Sequence, residues 1–133
     1  MEKLEHIGIA VKNIDQANKL FAKLLGREHY KIEDVNSEGV RTSFFEIGGV
    51  KIELLEATRP DSPVAKFIDK RGEGIHHMAF EVSDINKSLK VYADKGFHVL
   101  NQEAKMGADN KMVFFLHPKS TQGVMIELCQ EIK

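Results

Sequence analysis

Two histidines and two glutamates stand at matching places in the two halves of this sequence. His6 lies in Glu5-His6-Ile7-Gly8-Ile9-Ala10-Val11, and His77 in the echo His76-His77-Met78-Ala79-Phe80-Glu81-Val82. Glu53, in Gly49-Val50-Lys51-Ile52-Glu53-Leu54, is answered by Glu127 in Gly123-Val124-Met125-Ile126-Glu127-Leu128. Two imidazoles and two carboxylates suit a divalent first-row metal, commonly six-coordinate, with water or substrate completing its sphere. A lone His or Glu on a strand is ordinarily solvated or hydrogen-bonded. A repeated inward Glu is a costly structural choice, because a buried carboxylate loses its hydration unless it is paired or bound to metal.

The elements that must carry these residues follow from the same repeat. Aligning His6 with His77 also matches Val11 with Val82, Ile14 with Ile85, Lys19 with Lys90 and Ala22 with Ala93. The chain reads as two βαβββ modules in tandem, an α+β fold forming one domain over 1–133 with a metal-binding cleft. The first module covers about 1–58, a linker helix about 61–72 and the second module about 74–133. In the first strand, over 4–11, Ile7, Ile9 and Val11 share one face, and His6, Gly8 and Ala10 the other. The bulky face is expected under a helix capped by Asn13, with Gln16 as capping-box partner, a stripe of Ala17, Leu20, Phe21, Leu24 and Leu25, and Gly26 as terminator. Asp84, then Ile85, Leu89, Tyr92 and Ala93 up to Gly96 copy it.

Short strands are expected over 29–35, 40–47 and 50–55, and again over 97–101, 111–116 and 124–129. Alternation puts Ile52 and Leu54, and likewise Ile126 and Leu128, beneath the helices. Glu53 and Glu127 then share the faces of His6 and His77, and under a pseudo-twofold relation all four converge on one point. The small Gly8 and Ala79 leave room on those faces. Between the modules, Ser62 as cap, Pro63 at the first helical position, Val64, Phe67, Ile68 and a closing Gly72 predict a linker helix. His76 must face away from His77, as a packing residue. His29 and His98 read as surface residues, and His117 as part of a turn at the cleft edge or in a structural role.

Composition narrows the function. With 133 residues and 42% hydrophobic content, the chain can bury a real core as one domain. Nineteen basic against twenty acidic residues leave a net charge of -1 without a basic block, which argues against nucleic-acid binding and for a small-molecule partner. No apolar run approaches the roughly 18 residues of a membrane span, and no signal-peptide pattern opens the chain, so the expected location is cytoplasmic. Cys129 alone cannot form an internal disulfide.

Several longer stretches carry a resemblance. They are His6-Ile7-Gly8-Ile9-Ala10-Val11, Glu38-Gly39-Val40-Arg41-Thr42-Ser43-Phe44-Phe45, Lys51-Ile52-Glu53-Leu54-Leu55-Glu56, Asp61-Ser62-Pro63-Val64-Ala65-Lys66-Phe67, Gly74-Ile75-His76-His77 and Phe115-Leu116-His117-Pro118-Lys119. Over essentially the full length the chain resembles the methylmalonyl-CoA epimerase family of the vicinal oxygen chelate superfamily. The resemblance implies metal ligation by His6, His77 and Glu127, with Glu53 where some members have Gln. It implies one divalent ion per chain, cobalt before manganese, nickel or zinc, and a homodimer. The implied reaction interconverts (R)- and (S)-methylmalonyl-CoA by removing the C2 proton through a metal-stabilised enolate, with Glu127 as a base. Thr42 stands where some members have the opposing glutamate base, and Thr cannot act as one near neutral pH. Lys105, Lys111 and Lys119, beside His117, are the candidate anchors for the CoA portion. Two other readings use the same fold: a glyoxalase I-type lactoylglutathione lyase, with the same ligands on zinc or nickel, and a non-catalytic ligand-sequestering module, which would not need the repeated His and Glu.

Overall fold

The computed structural model describes residues 1–132. The elements run β1 (Lys3–Ala10), α1 (Ile14–Leu25), β2 (Lys31–Val35), β3 (Val40–Ile47), β4 (Val50–Ala57), α2 (Pro63–Arg71), β5 (Gly74–Glu81), α3 (Ile85–Asp94), β6 (Lys105–Met106), β7 (Lys111–Leu116) and β8 (Ile126–Glu131). Strand, helix and three strands thus occur twice, with α2 between them, as the repeat predicts.

Local chemistry sets the helix ends. The Asn13 side chain accepts the Gln16 N–H at 3.0 Å, and Asp84 accepts that of Lys87 at 3.1 Å, satisfying backbone donors that a helix start leaves unpaired. Gly26 ends α1 in the left-handed region at φ 73°, where a side chain would be strained. Ser62 and Pro63 open α2 as expected, the Ser62 hydroxyl accepting from Val64 N. Each module also caps its helix from the far end of its last long strand. The Glu56 carboxylate accepts from Ile14 N at 3.2 Å; Gln130 accepts from Ile85 N at 2.9 Å and donates to the Ser83 carbonyl at 2.8 Å.

The described chain forms two compact units, His6–His76 and Met1–Glu5 with the chain from His77 onward. Within the first, strands are ordered β2-β3-β4-β1, with β1 parallel to β4 and the other neighbours antiparallel. Within the second the order is β5-β8-β7-β6, with β5 parallel to β8. Under α1 lie Val11, Phe45 and Leu54, flanked by Ile9 and Ile52; under α3 lie Val82, Phe114, Leu116 and Leu128, flanked by Phe80 and Ile126. The alternation read from sequence is therefore the one that folds. At one end of the first unit α2 sets Val64, Phe67 and Ile68 on Ala10, Val40 and Leu55.

Two expectations need correction. Leu20 and Leu24 are not in the buried stripe of α1 but are 60% and 69% exposed. The inward line is Ile14, Ala17, Asn18, Phe21 and Leu25, and it admits a polar Asn18 because the buried Ser43 hydroxyl donates to the Asn18 side chain. Ala93 is likewise exposed at the end of α3. The strand expected over 97–101 does not form: Val99 makes a single bridge to Leu116, and the sixth strand is the short β6. Side chains satisfy part of the backbone there, Asn101 accepting from Phe115 N at 2.9 Å and Ser120 from His98 N at 3.2 Å.

Candidate metal centre

In residues 6–76 the strand register brings one His and one Glu together. Gly8 on β1 stands beside Glu53 on β4, and Phe44 on β3 stands opposite it. His6 Nδ1 lies 3.2 Å from Glu53 Oε2, and the two side chains are only 5% and 4% exposed. Gly8 has no side chain to compete with the carboxylate for that space.

The second unit repeats the arrangement. Ala79 on β5 stands beside Glu127 on β8, and Phe115 on β7 opposite it. His77 Nε2 lies 3.2 Å from Glu127 Oε1, with both side chains 8% exposed. Phe115 meets the His77 ring edge-on, at 87° with centroids 6.2 Å apart.

Both pairs fit a cation. Two N or O atoms each about 2.1 Å from one ion, at octahedral or tetrahedral angles, lie roughly 3.0–3.4 Å apart, and both His–Glu separations, 3.2 Å, fall in that range. Imidazole and carboxylate donors suit first-row divalent ions. Cys129, on the face of Ala79 and Val113, adds no thiolate: burial first, then the charges of Glu127 and Glu5, push its thiol well above the usual range.

The other singled-out residues are spread through the two units. Thr42 is 1% exposed and opposite Leu55 in register, on the face of Glu53. His76 packs edge-on against Phe67 of α2, at 5.0 Å between centroids. Lys105 holds its ammonium 5.7 Å from the Phe115 ring centre, which places it on the face of His77 and Glu127. Lys111 is 5% exposed and opposite Glu131 in register. His117 accepts the Lys119 N–H on Nδ1 at 2.9 Å and stacks on His98 at 5.0 Å and 7°, so its neutral form carries the proton on Nε2. His98 is exposed, but His29 is half-buried rather than on the surface: it packs on Phe45, and its Nδ1 has no hydrogen-bond partner among the described residues. Phe44 and Phe115 escaped the reading of the sequence. The signal was present, since each ends up opposite its module's Glu and the two align in the repeat that matches His6 with His77.

Residues 5–115 match the family model of the glyoxalase/bleomycin resistance protein/dioxygenase superfamily. The chain is 38% identical to ethylmalonyl-CoA/methylmalonyl-CoA epimerase of Cereibacter sphaeroides, over 96% of its own length and 97% of that protein's. It is 36% identical to the mitochondrial methylmalonyl-CoA epimerase of Bos taurus, over 96% of its own length and 74% of that protein's. A solved methylmalonyl-CoA epimerase in complex with methylmalonyl-CoA and ammonium superposes with a TM-score of 0.94 at 35% identity, covering 98% of this chain and 95% of the other. The chain belongs to the glyoxalase/bleomycin resistance protein/dioxygenase superfamily and, within it, to the family of the methylmalonyl-CoA epimerases. Among the described residues no helix is long and apolar enough to cross a membrane.

Proposed function

We propose that this chain interconverts the (R) and (S) epimers of methylmalonyl-CoA, residues 1–133 working as one domain in which His6, Glu53, His77 and Glu127 hold a single divalent ion. The observation that carries the reading is the duplicated buried His–Glu pair, each with its N and O atoms 3.2 Å apart. The names of the relatives supply the substrate. Cobalt is the expected ion, ahead of manganese, nickel and zinc. When bound, the ion supplies positive charge where negative charge develops on the carbonyl oxygen.

Glu127 takes the C2 proton from one face. Ala79, Val113 and Phe115, packed about its strand, limit the access of water to it. Inversion requires a second proton transfer from the opposite face. Thr42 offers a hydroxyl without basicity at neutral pH; in this reading Glu53, the other buried carboxylate, makes that transfer. Lys105 and Lys119, with the His117 Nε2–H, hold the CoA phosphates; Lys111, the third candidate anchor, is buried and offers them no exposed ammonium. A homodimer in the cytoplasm is the expected working form.

Incubation of either epimer in deuterated water tests the reaction. The C2 hydrogen should exchange with the ion bound, and metal analysis should find one ion per chain, lost in His6→Ala/His77→Ala. Conversion of a glutathione hemithioacetal without C2 exchange would overturn the substrate and leave the metal site standing.

A further inference from the structure

The two units share more than a His–Glu pair. In residues 6–76 one face carries a row across neighbouring strands: Lys31 is opposite Phe44, Phe44 is opposite Glu53, and Glu53 pairs with His6. The Lys31 ammonium sits 4.5 Å from the Phe44 ring centre. In the other unit the row is Lys105, Phe115, Glu127 and His77, with the Lys105 ammonium 5.7 Å from the Phe115 ring centre. Ammonium, phenyl, carboxylate and imidazole thus follow one another twice, although the lysines reach their rings differently. Lys31 faces Phe44 directly, whereas Lys105 is opposite Val113 and reaches Phe115 on the diagonal.

We propose that Lys31 is a substrate-binding residue, the counterpart of Lys105, whose ammonium takes a carboxylate or phosphate oxygen of the acyl-CoA; this rests on the substrate reading given above. Phe44 is fully buried, and Tyr30 packs on it at 6.1 Å between centroids, so the ring that holds Lys31 is itself immobilised. A cation above an aromatic face is positioned by charge, and an ammonium brings three N–H donors with which to meet an oxyanion. Glu33, 3.6 Å from the ammonium, does not preclude this. Both side chains of that pair are more than a third exposed, at 38% and 35%, and water screens such a pair to little net strength, so an incoming oxyanion can displace it. A methylmalonyl thioester of CoA carries oxyanions of two kinds, a carboxylate beside the reacting carbon and phosphates farther off. A site for it needs cations in addition to the metal ion itself.

The test compares the cobalt-loaded full chain with Lys31→Gln and Lys31→Arg, titrated calorimetrically with malonate and with inorganic pyrophosphate. Lys31→Gln should weaken one of the two probes by about tenfold, a loss that corresponds to about 1.4 kcal/mol, and Lys31→Arg should restore most of it. Loss confined to malonate assigns Lys31 to the carboxylate; loss confined to pyrophosphate assigns it to the phosphates. Unchanged affinity for both probes overturns the proposal. Neither probe is turned over, so these outcomes do not depend on C2 exchange, and failure of exchange in the parent chain would sink the substrate reading separately. Where exchange occurs, KM for methylmalonyl-CoA should rise about tenfold in Lys31→Gln with kcat little changed, as for a contact made equally in ground and transition states.

Discussion

Under their helices the two units solve one packing problem with different chemistry. In residues 6–76 the contact between α1 and β3 includes a hydrogen bond, the buried Ser43 hydroxyl donating to the buried Asn18 side chain. At the corresponding places of the second unit Leu89 and Phe114 belong to one apolar cluster. The opposite faces both present lysine, phenylalanine, glutamate and histidine in the same order. A helix–sheet contact demands only complementarity, which a hydrogen bond or a hydrocarbon contact can each provide. A metal and a reacting carbon demand particular atoms at particular distances. In the proposed function the faces of His6 and His77 meet metal and substrate and repeat those four residue types. Under the helices Val11, Ile14, Ile52 and Leu54 recur as Val82, Ile85, Ile126 and Leu128, but the Asn18–Ser43 pair does not recur.

The sharpest way to break this comparison is to ask whether the two glutamates divide the proton work. In variants that metal analysis shows still hold the ion, Glu127→Gln should lower C2 exchange from one epimer by about 10²–10⁴ while sparing the other, and Glu53→Gln should do the reverse. Exchange lost from both epimers in Glu127→Gln and from neither in Glu53→Gln would give all the proton transfer to the second unit.

Smaller effects probe the packing faces. Leu89→Ala removes apolar contact and should destabilise by about 2 kcal/mol in denaturant unfolding. Asn18→Ala strands the buried Ser43 hydroxyl and should destabilise by about 1–3 kcal/mol, part of which Ser43→Ala should return in the double variant. If the double variant loses the sum of the single losses, the two residues do not act as a pair. The distant helix caps come next. Gln130→Ala removes two backbone bonds and Glu56→Ala one, so the first should lower stability by about 1 kcal/mol and the second by less.

The least effect is expected at the exposed edge of the first unit, where the Arg41 guanidinium bonds Asp34 and holds its carboxyl below the ordinary value of 3.8. A carboxyl lowered by folding contributes stability above its unfolded value, and that contribution fades as pH falls through the folded one. Asp34→Asn should therefore be slightly less stable than the parent at neutral pH and indistinguishable from it in strong acid. A gap that widens on acidification would contradict the assignment.

Much of this was legible in the sequence because the signals are short-ranged or repeated. Asn13, Asp84 and Ser62 each cap a helix through bonds to backbone two or three residues away, so their roles can be read from spacing alone. The period of two put Glu53 on the face of His6 and Glu127 on that of His77, opposite the residues under the helices, and the repeat singled out all four. The phase of α1 was not legible, because Leu20 and Leu24 continue an apolar pattern as well as Phe21 and Leu25 do. The packing of Ala17, Phe21 and Leu25 on Phe45 and Leu54 sets the phase, and the Ser43 hydroxyl, brought in from β3, satisfies the Asn18 that this phase turns inward in place of Leu20. Nor could spacing show that Lys31 and Lys105 lie over Phe44 and Phe115. Those contacts depend on strand registers between segments far apart in the chain, which the packed sheet sets through many pairings at once and no single stretch of residues records.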